Sequence, residues 1–233
     1  MKKYIYTIIA LISFSISAQD KGYWICWNFT VDSQTEAEEL VSALDDLMES
    51  EAMSQFPLVT TLGEIMFRNS NAPTTHQLCF IGSNADSFAM WGSGPPTTAE
   101  GKLVNKIFQD YAVMESSNMG SPLIFDPTKL GYEYASVWSV DVSNIPAYAK
   151  SVQEFISESK DSFDGVFELH ESISGGEDYV SHYFVARSNN LTDWLKGREA
   201  VFNSGAALKF INTSQKSATI INNFAARLIR IYN

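Results

Sequence analysis

Two hydrophobic periodicities alternate along this chain of 233 residues, and they occur in the same order twice. From Tyr23 to Val31 aromatic and β-branched side chains run almost without a break, which predicts a strand. Over 33–51, Ala37, Leu40, Val41, Leu44, Leu47 and Met48 recur at spacings of three and four, which predicts a helix. Asp32 or Ser33 can cap its first free amides. Residues 62–67 and 75–81 are again strand-like, and the turn-rich run from Arg68 to Pro73 makes them a hairpin. In the second half, Tyr134 to Val142 predicts a strand and 145–158 a helix with Tyr148, Val152, Phe155 and Ile156 on one side. Residues 166–173 and 179–186 then form a hairpin about Ser174-Gly-Gly-Glu177. After each hairpin a Ser-Asn pair (Ser83-Asn84, Ser188-Asn189) opens a helix-like segment that carries a tryptophan, Trp91 or Trp194. Each half ends in a second helix and a last strand, ragged at 123–125 and clear at 226–232.

The run Asp126-Pro-Thr-Lys-Leu-Gly131 separates the halves, which places two units at 19–126 and 127–233. Each reads β-α-β-β-α-β, the order of a ferredoxin-like unit. Such a unit has helices on one sheet face only, so its other face needs a cover. Two units in one chain can cover each other. The predicted class is therefore α+β, two ferredoxin-like repeats whose sheets pack together as an intrachain α+β barrel.

This layout resembles the dimeric α+β barrel superfamily, here as a tandem duplication in one chain. The resemblance spans 19–233 and rests on element order, not on a specific motif. It implies chemistry inside the barrel, because small oxygenases of that superfamily act there on polyketide-like quinols or on haem. The haem-degrading branch uses an asparagine on the first strand, a tryptophan, and a histidine on the second helix. Asn28 and Trp91 are the counterparts of the first two. The second helices here hold no histidine, since all three histidines fall on hairpin strands, so the expectation is no haem and no cofactor.

Lys2 and Lys3, an apolar stretch over 4–14 and the small-residue end Ser15-Ile-Ser-Ala18 read as a secretory signal peptide over 1–18. That reading makes the protein exported, to the periplasm or the medium. No later run reaches 18 apolar residues, so no membrane span is expected. Hydrophobic residues make up 45% and aromatic residues 13% of the chain, enough for a packed core. Removing Lys2 and Lys3 from 16 basic residues leaves 14 against 27 acidic ones. Such a balance repels phosphate backbones, which excludes nucleic acid as a partner. The charge is uneven. Residues 32–51 hold eight acids and no base, whereas 194–233 hold six bases and one acid. These are either solvated faces or patches through which the chain assembles as a homo-oligomer.

Strand parity selects the candidate site. Pairing the second hairpin about Gly175-Gly176 sets Glu168, His170, Ser172, Ser181, Tyr183 and Val185 on one face. The other face, with Phe167, Leu169, Ile173, Val180, His182 and Phe184, suits packing under helices. Transferred to the first half, the inner face becomes Glu64, Met66, His76, Leu78 and Phe80. The candidate ligand-binding residues are thus Glu64, Met66, His76, Glu168, His170, Ser181 and Tyr183. A glutamate beside a histidine in each half can form a proton-transfer pair. No metal site is expected: the chain has no His-Glu-x-x-His, no paired CxxC and no Asp-rich calcium loop. The tryptophans suit either an aromatic pocket or the core, and the Gly- and Pro-rich run 91–98 either a lid or a connector. Cys26 and Cys79 lie on neighbouring strands, where both a disulfide and free thiols remain open. The leading expectation is a non-catalytic exported protein that binds a small apolar or mixed organic ligand between the sheets. The alternatives are a cofactor-independent oxygenase or isomerase with a Glu-His general base, and an interaction module with acidic and basic faces.

Overall fold

The computed structural model describes residues 21–53, 57–69, 72–93 and 99–233, so the expected signal peptide lies outside the described residues. The first half comprises β1 (Tyr23–Val31), α1 (Gln34–Met48), β2 (Val59–Phe67), β3 (His76–Gly82), α2 (Ala99–Tyr111) and β4 (Ala112–Ile124). The second comprises β5 (Tyr134–Val142), α3 (Ile145–Ser159), β6 (Gly165–Gly175), β7 (His182–Ser188), α4 (Leu191–Asn203), α5 (Ala206–Ser214) and β8 (Ala218–Tyr232). A 3-10 segment, Ala85–Ser93, stands where the first half was expected to place its Trp91 helix.

The eight strands close into an antiparallel barrel in the order β1-β3-β2-β8-β5-β7-β6-β4. Each half supplies four consecutive strands, and the halves are joined edge to edge where β2 bonds β8 and β4 bonds β6. The α+β barrel expected from the element order is therefore present, and its two sheets share backbone hydrogen bonds as well as a common interior. Closure leaves no unpaired edge.

The helices form where local chemistry favours them. Ser33 accepts from the Glu36 amide while the Glu36 carboxylate accepts from the Ser33 amide, a capping box that starts α1. Asn144 caps α3 by accepting from the Ala147 amide. Leu40, Leu44 and Leu47 of α1 pack on Phe29, Leu62, Leu78 and Phe80. Tyr148, Val152 and Phe155 of α3 pack on Val140, Leu169 and Phe184. A third cluster, with Trp24, Cys26, Cys79, Ala135, Tyr183 and Val185, lies within the barrel.

The acidic and basic stretches meet inside one chain. Arg230 of β8 donates from Nε to Asp45 of α1 at 3.1 Å, and the Tyr232 hydroxyl donates to the same carboxylate at 2.7 Å. Among the described residues no helix is long and apolar enough to cross a membrane.

Cys26 and Cys79 sit directly opposite each other on β1 and β3 and form a disulfide, with Cα atoms 4.0 Å apart. The bridge closes a separation of 53 residues, which restricts the unfolded chain. A Cys26→Ser, Cys79→Ser double variant is therefore expected to lose about 2–4 kcal/mol of stability, read by urea unfolding under non-reducing conditions.

Candidate functional site

Alternation sorts each strand into a helix-covered side and a lumen side. Trp24, Cys26 and Asn28 of β1, Gln77, Cys79 and Ile81 of β3, and Gly63 and Ile65 of β2 face inward around a cavity of about 230 Å³. The second half adds Ala135, Val137 and Ser139 of β5, His170 of β6, and Tyr183, Val185 and Arg187 of β7. Asn118 of β4 and Asn222 and Phe224 of β8 also line it. Gly120 makes room for one aromatic: a Cβ there would lie 2.1 Å from Trp24 Cζ2, so the indole fills the missing side chain's space.

A charged cluster stands at one side of this wall. Glu168 is fully buried. It accepts from Nε of Arg187 with both carboxylate oxygens, each at 3.1 Å, and lies 3.1 Å from His170 Nε2. Burial alone would push the Glu168 carboxyl up. The Arg187 charge and the bonds from His170 and Arg187 outweigh it and hold the group below its ordinary value. An ionised carboxylate only accepts, so Nε2 of His170 is the donor in this contact. The ring's Nδ1 is buried without a hydrogen-bond partner. The imidazole touches Trp24 edge-on, with centroids 6.1 Å apart, and Phe125 at 5.7 Å.

A chain of neutral polar groups crosses the lumen. Gln77 Nε2 donates to Asn28 Oδ1 at 2.8 Å, Asn28 Nδ2 to Ser116 Oγ at 3.0 Å, and Asn118 Nδ2 to the Tyr183 hydroxyl at 3.0 Å. Burial raises the Tyr183 pKa, which keeps the phenol neutral. Tyr183 also packs on Trp24, at 5.6 Å, so the indole lies against both the phenol and the imidazole.

Of the expected site residues, Glu168, His170 and Tyr183 are together on the lumen side. Glu64, Met66 and His76 are not: the structure corrects the first hairpin by one residue, which turns every side chain to the opposite face. Leu78 and Phe80, also expected inside, pack under the helices for the same reason. Glu64 instead accepts from Arg227 at 2.6 Å on the exterior, with 38% of its side chain exposed. His76 stacks on Phe29 at 5.7 Å, and burial lowers its pKa against the raising effect of Glu64. Met66 is 37% exposed. Ser181 is also corrected. It precedes β7, accepts from the Val142 amide at 2.8 Å and lies 2.9 Å from His182 Nδ1, away from the cavity. The second hairpin pairs Leu169 with Phe184 and His170 with Tyr183, two residues away from the expected register, and a shift of two preserves the faces. His182 is the expected core histidine, 3% exposed and lowered in pKa by burial. The Trp91 side chain and residues 94–98 lie outside the described residues.

Arg187, Gln77 and Asn118 were missed. Arg187 continues the Tyr183, Val185 alternation one step past the expected strand end. Gln77 follows from the disulfide, because a bridge between Cys26 and Cys79 orients both strands.

No family model and no curated protein matches the chain in sequence. Solved structures match its fold. A candidate monooxygenase of Fusobacterium nucleatum subsp. nucleatum superposes with a TM-score of 0.61 at 12% identity, over 92% of this chain and 95% of that one. A candidate chlorite dismutase gives 0.57 at 11%, over 90% and 95%. A haem-binding protein of Thermus thermophilus gives 0.52 at 8%, over 91% and 92%. The fold is thus the closed α+β barrel that these structures share. Haem does not fit the lumen described here. Among the described residues His170 is the only lumen histidine, with Nε2 held by Glu168 and Nδ1 enclosed.

The two glutamates make the correction measurable. Glu168→Leu strips a fully buried charge from two partners and is expected to cost about 3–5 kcal/mol. Glu64→Leu, on an exposed pair, should cost about 0–1 kcal/mol, both read by urea unfolding. Because the folded pKa of Glu168 is depressed, its stabilisation is present above about pH 4 and lost as pH falls through the folded value. Glu168→Leu should accordingly flatten the acid limb of the stability profile.

Proposed function

We propose that the chain is a small oxygenase without a resident cofactor, which works on a compact aromatic quinol or aryl ketone inside the barrel with His170 as general base. This replaces the expected non-catalytic exported binding protein. The similar structures are named for monooxygenation, chlorite dismutation and haem binding, which favours an enzyme, and the lumen does not suit haem. The observation that carries the reading is the buried Glu168–His170 pair on the wall of a partly polar cavity. Glu168 fixes the imidazole tautomer and stabilises the imidazolium that forms on proton uptake. A substrate reaches Nδ1 by displacing the ring of Trp24 or Phe125 that packs on it.

The chemistry balances with dioxygen as the only co-reactant. Loss of a proton from a methylene flanked by aryl rings leaves a carbanion whose electrons reduce dioxygen to a carbon-bound peroxide. Cleavage of the O–O bond, with loss of the second methylene hydrogen as a proton, then leaves a carbonyl on that carbon and releases water. One diaryl methylene and one dioxygen thus become one diaryl ketone and one water. The protein provides the base, a cavity for the rings, and the amides of Asn28 and Asn118 with the Tyr183 hydroxyl to hold substrate oxygens.

Anthrone is a suitable probe. Wild-type protein is expected to consume one dioxygen for each anthraquinone formed, and His170→Gln to slow this by about 10²–10⁴-fold with the fold retained by circular dichroism. Oxygen uptake no faster than in buffer, or an unimpaired His170→Gln variant, would overturn the proposal.

A further inference from the structure

Only part of the Arg187 guanidinium is engaged. Its Nε donates to both oxygens of Glu168, while Nη1 and Nη2 have no acceptor among the described residues. The side chain is 22% exposed and lines the cavity, and its terminal nitrogens are not among the sealed, unpartnered atoms of the described residues. The free end therefore opens on accessible space. Arg68, which also lines the cavity, differs: its Nη1 is held by the carbonyls of Pro73 and Thr74 in its own loop. Glu133 and Glu177 line the cavity too, and neither pairs with Arg187; Glu177 accepts from Asn222 at 2.8 Å.

Balancing the charge of Glu168 needs one cation, and a lysine would supply it. What an arginine adds is a planar pair of terminal donors spaced for two oxygens of a carboxylate. The anchor is rigid, because Nε is already clamped from behind by two bonds to a fully buried group. His170 belongs to the same cluster, so a group held by the free end of Arg187 lies beside the base.

We propose that the substrate carries a carboxylate, gripped by Nη1 and Nη2 of Arg187 while its ring occupies the cavity against Trp24. The proposal rests on the lumen being the substrate site, and it deepens the oxygenase reading by adding a carboxylate to the aromatic quinol or aryl ketone. Glu168 and Arg187 cancel in charge, so the attraction comes from two directed hydrogen bonds, not from net charge.

Calorimetric titration of the full chain with 1-hydroxy-2-naphthoate and with 1-hydroxy-2-naphthamide tests this without turnover. The wild type is expected to bind the acid about tenfold or more tightly than the amide. Arg187→Lys keeps a cation for Glu168 and should lose the preference for the acid. Equal affinities in the wild type, binding of neither probe, or a preference that persists in Arg187→Lys would overturn the proposal. The comparison within the wild type needs no variant, so it stands even if Arg187→Lys folds poorly. A preference for the acid together with no oxygen uptake on either anthrone or a carboxylated anthrone would leave the carboxylate anchor intact and remove the oxygenase reading alone.

Discussion

The constraint on which everything else depends is closure of the hydrogen-bond ladder. With β2 bonded to β8 and β4 to β6, every strand has two neighbours, and the backbone is satisfied by the barrel itself. The interior side chains are then released from holding the two sheets together by apolar contact alone. That is why the lumen can carry Asn28, Gln77, Asn118, Tyr183 and His170 beside Trp24, Val137 and Val185. The large apolar clusters sit outside, between sheet and helices, where Phe29, Leu62 and Leu78 on one side and Val152, Leu169 and Phe184 on the other are almost fully buried.

Glu168 is the costliest group that closure permits. A carboxylate with no exposure survives only when each oxygen has a donor and the charge has a counter-charge. Arg187 supplies both, and His170 uses the remaining acceptor capacity. One arrangement thereby fixes three side chains on two adjacent strands. The imidazole faces the lumen with Nε2 on Glu168, and the guanidinium presents its outer edge.

The fold was legible in the sequence because its elements repeat in order and each carries an unambiguous period. The last strands were legible only in part. Those at 123–125 and 226–232 prove to be the ends of β4 and β8, which begin at Ala112 and Ala218. Their earlier residues, among them Ser116, Asn118 and Asn222, turn polar side chains into the lumen, so the hydrophobic signal of a strand is absent there. The site was half legible for a different reason. Gly175 and Gly176, both with positive φ, mark the second turn, and an error of two in pairing is harmless to parity. The first hairpin has no such marker, and a slip of one residue exchanged Glu64 and His76 for Gly63 and Gln77. Pairing Cys26 with Cys79 would have removed the slip, since the bridge ties residue parity on β1 to that on β3.

The same bridge has a chemical consequence for the chamber it borders. Cys26 and Cys79 both line the lumen. Free thiolates in a compartment that handles dioxygen or peroxide climb from sulfenic to sulfonic acid, and each added oxygen would swell a wall that has little spare volume. Joined sulfur to sulfur, the two residues present no thiolate to oxidise. The strands that carry Asn28 and Gln77 thus border the lumen with sulfur already paired, which leaves no thiolate there for an oxidant to attack.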